Sequence, residues 1–258
     1  MIISTNEYEE FLKKEPEARS YIREYLGADE FLNGKKRYCL WLIEAAPSIL
    51  RLPLIKERVR RVKEYRECSK KEATRKWSEQ PAFFTENRQP NTDYIVIPEV
   101  SSGARRYIPI GFLSDETICS NKLQLVPDAG LYEFGILTSN VHMAWTRTIC
   151  GRLKSDYDYS AKIVYNNFPW PEPSDEQRKK IESTAQAILD ARALYPEASL
   201  ADLYDPLTMP PELRKAHQKN DAAVMAAYGM PIKETTEASC VAWLMRLYQE
   251  KIEELRKK

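Results

Sequence analysis

An α+β fold is predicted: a small, mostly antiparallel sheet with flanking helices, followed by an α-helical C-terminal region. Three observations carry it. Short β-branched or alternating runs cluster in the middle of the 258-residue chain, at 93–97 and 106–112. Apolar residues recur at threes and fours around them. At about Glu172 the composition changes, and only helical patterns follow. The expected division is therefore an α+β part over 1–171 and a helical part over 172–258.

Residues 5–27 read as two short helices, with Thr5 or Asn6 as the first cap and Gly27 as the stop of the second. Asn33-Gly34 lies between the apolar runs Phe31-Leu32 and 37–43, which predicts a hairpin. After Pro53, Ile55, Val59, Val62 and Arg66 share one side of a helix running to about Ser69. Loops with Pro81 and Pro90 follow. Asp93-Tyr94-Ile95-Val96-Ile97 is a strand ended by Pro98. In 106–112, Ile108, Ile110 and Phe112 alternate with Tyr107 and Pro109, a strand in which the proline argues for an edge position or a bulge. A further short strand is expected over 122–126.

From 131 to 149, Phe134, Leu137, Val141, Ala144, Trp145 and Thr148 mark one helix, closed by Gly151. Residues 161–168 read as a strand stopped by Pro169-Trp170-Pro171. Ser174 and Gln177 form a capping-box pattern ahead of an amphipathic helix to about Leu194. Helices over 212–228, closed by Gly229, and over 241–255 complete the tail.

Composition excludes several classes. Hydrophobic residues make up 43%, so the chain can bury a core. No apolar run approaches the roughly 18–20 residues of a membrane helix, and the first residues lack a basic-then-apolar leader pattern. Five scattered cysteines without a C-x-x-C pair disfavour a disulfide scaffold or zinc ribbon, so a reducing cytoplasm is expected. Only two histidines are present, His142 and His217, with no ligand-spaced partner. No phosphate-binding glycine loop or nucleophile elbow is found. Asn166-Asn167-Phe168-Pro169-Trp170 resembles N-P-P-[FY] only superficially, because no proline follows either asparagine directly; it is assigned no catalysis.

Net charge is only +1, but the distribution is uneven. Residues 51–76 hold eleven Lys/Arg against four Glu, a net of +7. Basic residues interleaved with Ser and Tyr form three groups: Ser101-Ser102-Gly103-Ala104-Arg105-Arg106-Tyr107; Arg147, Arg152, Lys154, Tyr157 and Tyr159; and Ser69, Lys70, Lys71, Arg75 and Lys76. Any one of them is also what a solvated face looks like. Together they offer the several cations that simultaneous phosphate contacts require.

Longer blocks carry a resemblance. They include Gly27-Ala28-Asp29-Glu30-Phe31, Asn33-Gly34-Lys35-Lys36-Arg37-Tyr38, Ile97-Pro98-Glu99-Val100-Ser101-Ser102, Tyr132-Glu133-Phe134-Gly135-Ile136-Leu137, His142-Met143-Ala144-Trp145, Cys150-Gly151-Arg152-Leu153-Lys154-Ser155-Asp156-Tyr157, Tyr165-Asn166-Asn167-Phe168-Pro169-Trp170 and Met209-Pro210-Pro211-Glu212-Leu213. In this order they resemble the C-terminal part of the MmeI-like (type IIL) restriction-modification proteins, over most of the chain to about residue 230.

The resemblance implies a target recognition domain and helical region of a larger polypeptide, or a separately encoded subunit. The nuclease and the adenine N6-methyltransferase, with its S-adenosylmethionine, would lie in other domains, and no cofactor or metal is expected in this chain. The partners implied are double-stranded DNA and those catalytic domains. By the same resemblance, Ser101, Ser102 and Arg105 are expected to contact bases. Lys70, Arg106, His142, Arg152, Lys154, Tyr157 and Asn166 are expected on the DNA backbone or facing the groove. Relatives commonly carry an acidic residue where Gly103 stands, so a cytosine N4 contact is not expected there. The rival readings are a protein-interaction or dimerisation module, using the 241–255 stripe, and a small stand-alone nuclease.

Overall fold

The computed structural model describes residues 1–257. The chain opens with β1 (Ile2–Ser4) and α1 (Thr5–Lys14), whose entry is closed by Glu7 accepting the Ser4 backbone N–H at 3.0 Å. The cap is thus Ser4, one residue before the expected Thr5. The second expected helix is instead a 3-10 turn (Pro16–Tyr21) running into β2 (Ile22–Leu26). Gly27 starts a helix rather than stopping one: its N–H is taken by Glu30 at 2.8 Å at the head of α2 (Ala28–Asn33). Gly34, at φ +64°, then ends α2 in the left-handed conformation that glycine tolerates best, so Asn33-Gly34 is a helix exit and not a hairpin.

β3 (Arg37–Leu40) precedes α3 (Pro47–Leu50) and α4 (Pro53–Glu67). The buried Glu15 carboxylate accepts the N–H groups of Leu54 and Ile55, capping the positive end of α4. Arg66 is buried at the other end and donates to the carbonyls of Trp77, Gln80 and Phe83. Ile3, Phe11, Ala18, Leu40, Leu42 and Ile55 form a core of their own here. Part of the local positive charge is answered within the same segment: Arg60 and Arg61 pair with Glu57, Lys63 with Glu67, and Lys76 of α5 (Glu72–Lys76) with Glu72. Exposed pairs of this kind contribute little to stability, because water screens them.

The central elements are β4 (Tyr94–Pro98), β5 (Val100–Ser101), β6 (Gly111–Leu113), β7 (Ile118–Cys119), β8 (Leu123–Pro127), α6 (Leu131–Leu137), α7 (Asn140–Ile149), β9 (Gly151–Leu153) and β10 (Asp156–Asp158). The strands make three small sheets rather than one, ordered β1-β3-β2-β7, β6-β4-β8 and β5-β10-β9; every pairing is antiparallel except β2 with β7. The 106–112 strand shrinks to β6, and Tyr107, Ile108 and Ile110 ahead of it are all buried rather than alternating toward water. The 131–149 helix is two helices. Ser139 interrupts it, donating its hydroxyl to the Ile136 carbonyl at 2.7 Å and accepting from the His142 N–H.

Residues 161–168 are not a strand. Ala161–Tyr165 is a π-turn, in which Asn166 N–H reaches the Ala161 carbonyl at 2.9 Å. Asn167 fastens the Lys162 and Ile163 carbonyls, and Trp145 Nε1 donates to the Val164 carbonyl.

The tail contains α8 (Asp175–Ala193), α9 (Leu200–Leu203), α10 (Pro211–Ala227) and α11 (Glu237–Lys257). It does not fold apart. One hydrophobic core runs from Ile95, Ile110 and Phe134 through Trp145 to Ile181, Ile188, Leu213, Val224 and Leu244. Gly135 allows α6 to meet α8 closely, since a Cβ there would lie 2.6 Å from Ile181 Cγ2. Asn220 on α10 donates to the Gly135 carbonyl at 2.7 Å and accepts from Thr184 at 3.0 Å. The Ser174–Gln177 capping box is present, with Ser174 N–H to Gln177 Oε1 at 2.9 Å. Ser174→Ala is therefore expected to lower unfolding stability by about 1 kcal/mol, measurable as a shift in urea midpoint without a change in slope.

Candidate nucleic-acid interface

The site is built on the β5-β10-β9 sheet. Tyr157 pairs with Ser101 across β10 and β5, and with Arg152 across β10 and β9. The β9–β10 hairpin turns at Lys154, whose φ of +57° is left-handed. The loop leaving β5 passes directly beside this tip. Gly103 N–H donates to Asp156 Oδ1 at 3.1 Å, and a Cβ on Gly103 would meet the Ser155 carbonyl oxygen at 2.4 Å. Glycine is needed for that approach, because any side chain would force the hairpin tip to move. Two basic groups some fifty residues apart in sequence are thus brought to one exposed end of the sheet.

The candidates fare unequally. Arg106, Arg152 and Lys154 are exposed, and Arg105 and Ser102 are half-buried. Burial lowers the Arg105 pKa, against the raising effect of the Asp205 and Asp156 carboxylates. The Arg152 guanidinium lies over the Tyr157 ring at 4.1 Å, a cation–π contact that steadies it at the edge. Among the described residues, none of the ion pairs involves Arg105, Arg106, Arg152 or Lys154. Lys70 is exposed between α4 and α5, and Asn166 is exposed after the π-turn; both belong to elements outside this sheet.

Three expectations need correction. Ser101 is 2% exposed and its hydroxyl is enclosed. Tyr157 is 3% exposed, its ring packed inward beneath Arg152. His142 is fully buried, with Nε2 3.1 Å from the Tyr159 hydroxyl and its ring edge-on to Phe168. Burial pushes its pKa down to about 4. It is a neutral core histidine and faces no groove. The pairing of β5 with β10 explains the first two: Tyr157 and Ser101 are register partners, so their side chains share one face of the sheet, the buried one.

Sequence reasoning missed the residues that hold the arginine loop from behind. Tyr107 is buried and donates to Asp221 Oδ2 at 2.7 Å, and Asp221 Oδ1 accepts the Asn140 N–H at 2.8 Å. Burial raises the Asp221 pKa to about 6. No local signal could have shown this pairing, because its partners lie 114 residues apart.

The molecule is thus an α+β body that carries a basic loop and hairpin at one end of a small sheet, backed by a helical region that shares its core. Residues 1–172 match the family model described as MmeI, target recognition domain, and residues 173–256 match MmeI, C-terminal domain. The chain belongs to the MmeI family and comprises these two domains. It is 41% identical over 254 residues to DNA methyltransferase A of Bacillus subtilis (strain 168), covering 98% of this chain and 29% of that protein. It superposes with a TM-score of 0.93, at 45% identity, on the type IIL restriction-modification enzyme MmeI solved in complex with DNA, covering 96% of this chain and 33% of that one. The chain therefore spans about a third of the length of these relatives.

Proposed function

We propose that this chain is the sequence-reading part of a type IIL restriction-modification DNA adenine N6-methyltransferase. It holds double-stranded DNA so that a methyltransferase domain elsewhere, carrying S-adenosylmethionine, can flip and modify an adenine. Catalysis, by methyltransferase or nuclease, belongs to those other domains, and the setting is the cytoplasm. Residues 1–171 make the recognition part and 172–258 its helical support. No helix among the described residues is long and apolar enough to cross a membrane.

One observation carries the reading: the Ser102–Arg106 loop and the β9–β10 hairpin stand side by side, in a chain whose structural relative was solved on DNA. Arg105, helped by Ser102, contacts base edges, its planar fork matching guanine O6 and N7. Arg106, Arg152 and Lys154 take phosphates, with Lys70 and Asn166 as outlying contacts. Gly103 offers no acceptor to cytosine N4, so this protein reads a different base there or none.

Lys154→Ala is expected to weaken binding to all duplexes alike and to reduce the salt slope by about one. Titration of a fluorescent duplex at several salt concentrations checks this. Binding with no salt dependence at all would overturn the reading in favour of a protein-interaction module.

A further inference from the structure

The loop that carries the arginines is anchored at its far end to the helical region. Tyr107 is 1% exposed and Asp221 5% exposed, so neither can reach a ligand. The Tyr107 hydroxyl has a single proton, which goes to Asp221 Oδ2 at 2.7 Å; this leaves its oxygen free to accept Arg106 Nε–H at 3.1 Å. The other Asp221 oxygen holds the first backbone N–H of α7, that of Asn140. Behind Tyr107 the His217 ring stacks at 4.1 Å, and Tyr204 joins His217 Nε2 at 2.7 Å to the Arg192 guanidinium, whose Nε lies 2.9 Å from the Tyr204 hydroxyl. From the front, Arg147 Nη2 donates to the Arg106 carbonyl at 2.9 Å. Residue 106 is therefore clamped through both side chain and backbone, by groups from α7 and α10.

We propose that Asp221 is a positioning residue for DNA recognition: through the Tyr107 hydroxyl it sets the pose of Arg106, and with it the loop that presents Arg105. The inference rests on the DNA reading above and deepens it, because it assigns part of the specificity to a residue of the C-terminal domain. The chemistry is directional. An amide at position 221 can accept the Asn140 N–H with its oxygen, but its NH2 group then faces Tyr107 and donates to it. The tyrosine proton loses its acceptor and must turn toward Arg106, whose N–H cannot accept it. A reading side chain held in one pose discriminates better than one that samples several, since ordering it on binding costs less.

The test uses the full 258-residue chain and a randomised duplex pool, from which the wild type selects its preferred site. Affinities for that site and for non-site duplex are then measured for wild type, Asp221→Asn, Tyr107→Phe and Arg105→Ala. Tyr107→Phe keeps the ring stacked on His217 and the core filled, so it serves if Asp221→Asn does not fold. The site-to-non-site ratio is expected to fall roughly two- to thirtyfold in both Asp221→Asn and Tyr107→Phe. A ratio that stays at the wild-type value in the folded variants, while Arg105→Ala changes it, overturns the role of Asp221 and leaves the DNA reading standing. Equal loss on both duplexes, tracking a lowered melting temperature, overturns it too, because a merely structural part would do that. A wild type that enriches no sequence removes the DNA reading, and this inference with it.

Discussion

Arg105→Ala is expected to relax or change the recognised sequence at one base pair, by about 1–3 kcal/mol of discrimination. The effect exceeds that of any phosphate contact because a guanidinium can satisfy two acceptors of one base at once, and the wrong base leaves those donors unpaired. The location supports it: Arg105 is half-buried beside the hairpin tip, in the electrostatic reach of Asp156 and Asp205. Arg105→Lys keeps the charge and loses the fork, so it should recover general affinity but not the preference. The measurement is the base-by-base profile selected from a randomised duplex pool, compared with the Lys154→Ala profile, which should be unchanged in shape. An Arg105→Ala profile identical to wild type would show that another side chain reads the base.

Acid should destabilise the fold well before general carboxylate protonation. His142 has its pKa lowered from 6.5 to about 4 because burial penalises the imidazolium. A depressed histidine contributes stability that is fully present above pH 6.5 and is lost as pH falls through about 4, since only the unfolded chain binds the proton in that window. The displacement corresponds to something on the order of 3 kcal/mol. His217 is lowered in the same direction, by burial first and by the Arg192 charge. Asp221 works the other way: burial raises it from 3.8 to about 6, so its contribution is greatest below 3.8 and is lost as pH rises through about 6. The histidines outnumber it, and the net slope is a loss on acidification. Urea unfolding at pH 7.5 and 4.5 should show a large fall for wild type and a distinctly smaller one for His142→Gln. Equal falls in the two proteins would mean that His142 is not the group responsible.

Much of the architecture was readable because its signals are local. The capping box at Ser174, the proline at the start of α4, the β-branched run of β4 and the glycine after α10 act within a few residues, and each stands where periodicity put it. The misreadings share one cause. Asn33-Gly34 suits a hairpin and a helix exit equally, and only the Gly27–Glu30 cap decided for the helix. Residues 161–165 carry the β-branched Ile163 and Val164, yet a carbonyl taken by Trp145 and two taken by Asn167 made a π-turn the better solution. At the interface, the basic residues and the unusual Gly103 were visible in the chain. Which of them face water was not: Ser101, Tyr157 and His142 look as polar as Ser102, Lys154 and Asn166.

By itself the sequence determined the α+β order, the helical tail, the family resemblance and the chemical kind of surface available, since composition, periodicity and turn residues act over short spans. Only the tertiary structure decided that the arginine loop lies against the Lys154 hairpin, that His142 is core, and that Asp221 holds Tyr107. Those facts depend on contacts between residues 17 to 114 apart. Such pairs are chosen by the packing of one shared core and leave no periodic trace along the chain.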